Sequence, residues 1–334
     1  IRQIVASKTG DVLFLRSGYN GHTSTIYVHN MVFSGNERIQ SAWSKWTFNT
    51  DSVVRSMQVF EDWLYILFKR TINPTVPANV EANQFWVERV RIRNLDNVYQ
   101  NDATTELLFE PRMDRQYELV LHPDDENTTW TYDPENIETT LRIPFYDQRY
   151  DLIDGACNVI ISLDQNKGKA NSIAGTVIIP VVAKTGTYTS GGKVWTTITI
   201  SGQYDDYTRF IIGRPYTGSI TMSELFMRDQ NNTPIIGTLQ VKQISVVHDD
   251  TSYMAFAVTP ESRSTYTAEY TGKYVGSYYP NDVAVSNDEI THFKVMASAD
   301  HTTMKITNDK PVPMRVSSLE YLVNFIPYKR SGAF

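Results

Sequence analysis

Acidic side chains are the natural place to look for chemistry in this chain, because two carboxyl groups facing each other across a cleft can hydrolyse a glycosidic bond. The candidates are Asp124, Asp125 and Glu126 in HPDDENTT, Asp205 with Asp206, and Asp249 with Asp250. Sequence neighbours point to opposite faces of a strand, and 37 Asp and Glu residues supply such pairs by composition alone. A solvated polar turn is therefore the ordinary reading of each. The single cysteine, Cys157, lies in GACNVIISL at the edge of an apolar stretch, where a small buried residue is the ordinary role and a nucleophile the exceptional one. One cysteine also rules out an internal disulfide or a multi-cysteine metal site. The run Asp164-Gln165-Asn166-Lys167-Gly168 has the outline of a calcium loop. Lys167, Lys169 and the missing downstream Glu favour a hairpin turn instead.

The stronger signatures of catalysis are absent. No His is followed by Glu, no two glycines are separated by one residue, no glycine-rich loop ends in Lys-Ser or Lys-Thr, and no Ser has Gly two residues away on both sides. These absences remove the commonest metalloprotease, dinucleotide, phosphate-loop and serine-hydrolase patterns, and we expect no catalytic residue, cofactor or metal. Binding is better represented. STYTAEYTGKYVGSYYPND carries Tyr266, Tyr270, Tyr274, Tyr278 and Tyr279 among Gly, Ser and Thr, a composition that builds subunit contacts or stacks on sugars at little entropic cost. Buried rings in a strand-and-turn segment are the plainer alternative, and contact between subunits comes before sugar binding. Trp43 and Trp46 are three apart, so a strand sends them to opposite faces and core packing is expected rather than one stacking platform. With 31 Lys and Arg against 37 Asp and Glu, and only short basic touches such as Arg89, Arg91 and Arg93, the chain lacks the clustered cations that grip duplex DNA.

The elements that would position these residues read as strands. The 20 Tyr, 14 Phe and 6 Trp favour sheets, and the longest apolar run, Val177 to Ala183, includes Pro180 and is too short to span a bilayer as a helix. Strands are expected over Ile4 to Ser7, Asp11 to Arg16, Thr25 to Val32, Ile39 to Phe48, Ser52 to Phe60, Trp63 to Arg70 and Phe85 to Ile92. Trp63 to Phe68 has no polar side, which suits a strand covered on both faces, as in a propeller blade. The chain opens on Ile1 in a strand-like IRQIVAS, and two blade-like units cannot close a propeller. We therefore expect a fragment whose further blades lie upstream, or two sheets stacked on each other. NLDNVYQNDATT reads as a boundary. Beyond it, Ile137, Thr139, Leu141 and Ile143 alternate against Glu138, Thr140 and Arg142; Val194 to Ile200 and Leu319 to Phe325 repeat the pattern. In LQVKQISVV the phase slips between Val241 and Ile244, and a β-bulge near Lys242 and Gln243 would restore it. Asn166-Lys167-Gly168 and Ser190-Gly191-Gly192 mark hairpins. TMSELFMRD, Thr221 to Asp229, fits a short helix or a strand equally well.

The segments IQSAWSKWTF and GTLQVKQISVVHDDTSYMAFAV, with the closing RSGAF, resemble the C-terminal half of the tail nozzle protein of short-tailed bacteriophages, also called tail tubular protein B. The resemblance implies a sixfold ring of identical subunits at the far end of the tail. It would contact the tail adaptor (tail tubular protein A), the tail fibre and the host cell envelope, with double-stranded DNA passing transiently through its channel. The fold expected is all-β: propeller-like blades over 1–95, a β-rich inserted domain over 96–210 and a C-terminal β domain over 211–334. The role the resemblance implies is that of a structural conduit and gate for genome ejection in the virion tail, assembled in the host cytoplasm. Lumen or interface loops would include Asp124, Asp125, Glu126, Tyr266, Tyr270 and Tyr274. An acidic wall suits a conduit, since it repels the phosphate backbone. The rival is a receptor-binding or glycan-degrading tail component using the acids or the Tyr-rich segment.

Overall fold

A computed structural model describes residues 1–16, 25–34, 37–48, 52–71, 83–92, 112–120, 130–144, 157–162, 176–181, 186–190, 193–203, 209–214, 216–231, 233–272 and 288–328. The chain divides into two compact units, Ile1–Val98 and Tyr99–Phe334. Among the described residues the regular elements are β-strands and one 3₁₀ turn, Ala299–His301, so the chain is all-β.

Among the described residues the first unit holds two antiparallel sheets. One is β1 (Gln3–Ala6), β2 (Val12–Arg16), β3 (Thr25–Ser34) and β4 (Glu37–Thr47) in that order; the other is β5 (Ser52–Phe60), β6 (Trp63–Thr71) and β7 (Asn83–Arg91). These strands lie within a residue or two of the boundaries that alternation predicts. Phe14, Ile26 and Val28 from the first sheet and Val54, Met57, Leu64, Ile66 and Phe68 from the second form one core, because alternate residues of each strand point the same way. Trp46 and Phe48 close it, with ring centroids 5.6 Å from Phe14 and 4.9 Å from Phe68. Polar ties cross the same gap. The Gln3 amide donates to the Met57 carbonyl at 2.6 Å and accepts the Met57 N–H at 3.0 Å, and Arg16 Nη1 donates to the Val54 carbonyl at 3.1 Å.

Among the described residues the second unit contains four sheets. β8 (Asp114–Val120), β9 (Trp130–Asp133), β10 (Glu138–Pro144), β11 (Cys157–Ser162), β12 (Thr176–Val181), β13 (Gly186–Ser190), β14 (Lys193–Ser201) and β15 (Arg209–Arg214) make two of them, ordered β13-β14-β10-β9 and β12-β11-β15-β8. β13 and β14 pair from Ser190 opposite Lys193, a hairpin where Gly191-Gly192 predicts one; the hairpin at 166–168 lies outside the described residues. Thr139 and Leu141 are buried as alternation predicts, but Ile137 is not their partner. It is exposed with φ 54° and turns the chain before β10, so the strand begins at Glu138. The side chain of Ile143 lies outside the described residues.

The other two sheets are β16-β21-β18-β19 and β20-β17-β22. Their strands are β16 (Gly218–Thr221), β17 (Gly237–Asp249), β18 (Tyr253–Pro260), β19 (Tyr266–Thr271), β20 (Glu289–Ser298), β21 (Thr302–Asn308) and β22 (Arg315–Pro327). Met254, Phe256, Val258, Met304 and Ile306 of the first share a core with Leu239, Val241, Ile244, Val246, Phe293 and Val295 of the second. The bulge read from the phase slip is present. Register shifts between Val241 and Gln243 against both β20 and β22, so Leu239 and Val241 before it and Ile244 and Val246 after it all face inward. On β20 the extra residues opposite Lys242 include Met296, exposed at φ 49°. TMSELFMRD is neither a helix nor a strand: β16 ends at Thr221, Met222 and Leu225 touch the core, and Arg228 makes an isolated bridge with Pro234.

Gly237 is where β17 meets the end of β22 most closely. A Cβ there would sit 2.6 Å from the Ile326 carbonyl oxygen and 2.6 Å from the Phe325 ring. Gly237→Ala is therefore expected to destabilise this unit by roughly 1–3 kcal/mol, read as a lower urea midpoint, because a backbone oxygen cannot rotate away as a side chain can. An unchanged midpoint would mean that β17 and β22 separate freely at that end.

Candidate functional site

Of the residues picked out by type and spacing, Asp124, Asp125, Glu126 and Tyr274 lie outside the described residues, as do Asp205, Asp206, the 164–168 run, Tyr278 and Tyr279. Cys157 begins β11, where it pairs with Val181. Tyr266 and Tyr270 are four apart on β19, so both rings share a face and reach β20. The Tyr266 hydroxyl donates to the Val295 carbonyl, and the Tyr270 hydroxyl donates to the Glu289 carboxylate. Burial raises the Tyr266 phenol, partly offset by Arg263. Both hydroxyls brace one sheet to the other.

Asp249 and Asp250 do not oppose each other across a cleft. Both turn to one cation: Arg315 Nη1 is 3.6 Å from Asp249 Oδ2 and 3.5 Å from Asp250 Oδ2. Asp250 takes φ 46°, a conformation that Asp tolerates in turns, and its N–H donates to Asp249 Oδ1 at 2.9 Å. Thr251 Oγ1 donates to the Asp249 carbonyl at 3.0 Å and accepts the Arg315 N–H at 3.1 Å. This pair of acids organises a turn against β22. Among the described residues no three His, Cys, Asp or Glu side chains converge to hold a metal ion.

Large apolar side chains stand uncovered in the first unit, on the sheet faces turned away from its core. Trp63 to Phe68 accounts for one. Leu64, Ile66 and Phe68 are fully buried, but Trp63, Tyr65 and Leu67 are only half-covered, so the expectation of a strand enclosed on both sides is met on one side. Antiparallel register sets Phe60 and Arg91 beside Trp63, Arg89 beside Tyr65, Val87 beside Leu67 and Phe85 beside Lys69. Phe60, Phe85 and Val87 are 64%, 65% and 67% exposed, values unusual for side chains of that size clustered on one face. The Arg89 and Arg91 guanidinium carbons lie 4.6 and 5.9 Å from the centroid of the Trp63 ring, a cation–π arrangement that covers part of the indole. The sequence shows Arg89 and Arg91 only as a basic touch; two-residue periodicity and the register of β6 with β7 bring them onto one ring.

The β1–β4 sheet has a matching outer face. Ile4, Leu15, Tyr27 and Lys45 form one cross-strand row, and Ala6, Leu13, His29 and Trp43 the next. Trp43 is 61% exposed and stacks on His29 at 4.4 Å, so core packing holds for Trp46 but not for Trp43. Each sheet of this unit thus carries large apolar side chains on both faces, and its inner faces meet.

The family model described as bacteriophage nozzle protein matches residues 1–331. A search of the curated proteins found no match. Among solved structures, the exo-β-1,3-galactanase of Phanerochaete chrysosporium with galactose aligns over 94% of this chain and 97% of its own at 8% identity and a TM-score of 0.12. A variant of the same enzyme with β-1,3-galactotriose aligns over 96% and 99% at 9% identity and a TM-score of 0.14. Neither likeness is close enough to bear on fold or chemistry.

Proposed function

The chain belongs to the bacteriophage nozzle protein family and is a structural component of the phage tail, and from that premise we propose that it builds the ring through which the genome leaves the virion. The observation that carries the reading is the family match across residues 1–331. The open sheet faces of the first unit support it. An isolated subunit leaves Phe60, Phe85, Val87 and Trp43 in water, whereas a ring of identical subunits can cover them by head-to-tail contact. In that contact the outer face of β5–β7 meets the outer face of β1–β4 on the next copy, repeating the sheet stacking inside each subunit. The ring is a homohexamer joined to the tail adaptor and tail fibre, assembled in the host cytoplasm and set against the host envelope. It catalyses nothing. Residues 96–210 form an inserted domain between the first sheets and the C-terminal β domain, and loops bearing Asp124, Asp125, Glu126 and Tyr274 line the lumen or the subunit contacts. The formal net charge of −6 suits a wall along which duplex DNA slides.

Symmetry determination on intact particles tests the reading, and density for this chain in a closed ring around the tail axis is the expected result. Isolated protein should bind duplex DNA weakly, with affinity falling only shallowly as salt rises, since few phosphates are neutralised. Chain density placed off the axis, or hydrolysis of an envelope glycan that disappears when Asp124, Asp125 and Glu126 become Asn, Asn and Gln, would replace the conduit with a receptor-binding or glycan-degrading tail part.

A further inference from the structure

His248 ends the inward-facing series of β17. Because the bulge resets the alternation, Ile244, Val246 and His248 point the same way, and the imidazole is 1% exposed. Nε2 lies 2.9 Å from Thr291 Oγ1 on β20, while Nδ1 is buried and has no hydrogen-bond partner among the described residues. Groups from every neighbouring strand surround it. Tyr270 of β19 stands with its ring centroid 4.6 Å away, and its hydroxyl donates to Glu289, the β20 residue paired with His248. Asp249 follows on β17 and is engaged with Arg315 of β22. Glu269 and His292, one residue off the inward positions on β19 and β20, point the other way.

The chain is tied down by backbone N–H groups on either side of this cluster. The Gly272 N–H, just past β19, donates to the Ser252 carbonyl at 2.8 Å, and the Asp288 N–H, just before β20, reaches Asp249 Oδ1 at 3.4 Å. Tyr270 and Glu289 are thus the last inward residues before one strand ends and after the next begins, joined by a single hydrogen bond over a neutral imidazole.

We propose that His248 is a proton-operated latch for this end of the two C-terminal sheets: neutral, it lets Tyr270 and Glu289 hold β19 to β20; protonated, it breaks that hold. In the tautomer whose Nε2–H donates to Thr291 Oγ1, a solvent proton adds to the Nδ1 lone pair, and the resulting N–H has no acceptor in place. The buried imidazolium is relieved in one of two ways. Glu289 leaves Tyr270 to pair with it, or the strand ends part and admit water. Either way the Tyr270–Glu289 bond is lost.

Burial pushes the His248 imidazole below its ordinary value, and the charges of Glu289 and Asp249 only partly offset that. The direction sets the sign. Well above the ordinary histidine value of about 6.5, open and closed forms are both neutral and the latch is fully stable. As pH falls through that value the open form takes the proton first, and stability is lost progressively until the lowered value of the closed form is passed.

Hydrogen exchange on the whole chain provides the test. Between about pH 7.5 and 5, protection at Gly272 and Asp288, corrected for the intrinsic pH dependence of exchange, should be progressively lost. Protection at Ser7, whose N–H donates to the Val12 carbonyl in the first unit, should stay level. His248→Gln should remove the pH dependence at Gly272 and Asp288, and His248→Phe serves if the Gln variant folds poorly. Tyr270→Phe should lower protection at both sites even at the higher pH. The same pH-dependent loss in the His248 variants, or an imidazole titrating at or above the ordinary value by NMR, would overturn the latch.

Discussion

Phe256→Ala is expected to lower the stability of the Tyr99–Phe334 unit by about 3–5 kcal/mol, the largest effect of any single substitution considered. Phe256 is 1% exposed at the centre of β18 and stacks on Phe293 of the opposing sheet at 5.0 Å between centroids. Truncation removes the transfer free energy of a whole ring, the ring–ring contact, and the packing of Ile306, its neighbour across the β18–β21 pair. Relaxation cannot recover much, since the opposing sheet is pinned by a long ladder: β17 and β22 are paired from Gly237 opposite Pro327 to Asp249 opposite Arg315. For a unit of this length the thermal midpoint should drop by roughly 10 °C, measured by calorimetry. A drop near that of a surface substitution, below about 0.5 kcal/mol, would mean that the two sheets do not share the core described.

The second large effect is on assembly. Changing Phe85 and Val87 together to Glu should leave each subunit folded but weaken the proposed contact between copies by roughly 100- to 10,000-fold. Covering a Phe or Val side chain contributes about 1.5–3 kcal/mol each, and every 1.4 kcal/mol is a factor of ten. The subunit itself should tolerate the change to within about 1 kcal/mol, because both positions are exposed and Lys69 stands beside residue 85 to meet a new carboxylate. Burying two carboxylates at a sheet-to-sheet contact adds a desolvation penalty that lysines elsewhere cannot offset. Sedimentation of the purified protein and incorporation into particles provide the measurement. Rings that form equally well from the double variant would remove this face from the contact while leaving the family assignment untouched.

The strand framework was legible because its signals are local. Alternation with a period of two located β1 to β7 to within a residue or two, and it disclosed the β17 bulge, since a phase slip in buried residues has few other physical causes. Where local signals conflict, it failed. Ile137 continues the apolar alternation of β10 but adopts a positive φ in the preceding turn, and TMSELFMRD carries apolar residues that touch the core without regular pairing. The tyrosine segment was singled out by composition, yet the roles of Tyr266 and Tyr270 depend on β20, which follows a separate stretch of chain.

By itself, the sequence determined the all-β class, the positions of β1 to β7 and of a few later strands, the absence of common catalytic signatures and, through resemblance, the nozzle family. All of these are properties of residue order along a single strand or of motif matching. Only the tertiary structure decided which face of each sheet is covered. A strand pattern records that both faces of β6 are apolar, but not that one finds a partner within its own unit while the other is left to Phe60, Phe85 and Val87. The same holds for charge and protonation. Arg89 and Arg91 meet Trp63 through cross-strand register, and His248 loses its solvent because β19, β20 and β22 converge on it. Burial and desolvation are set by residues brought together from afar in the chain, and no local reading of the sequence contains them.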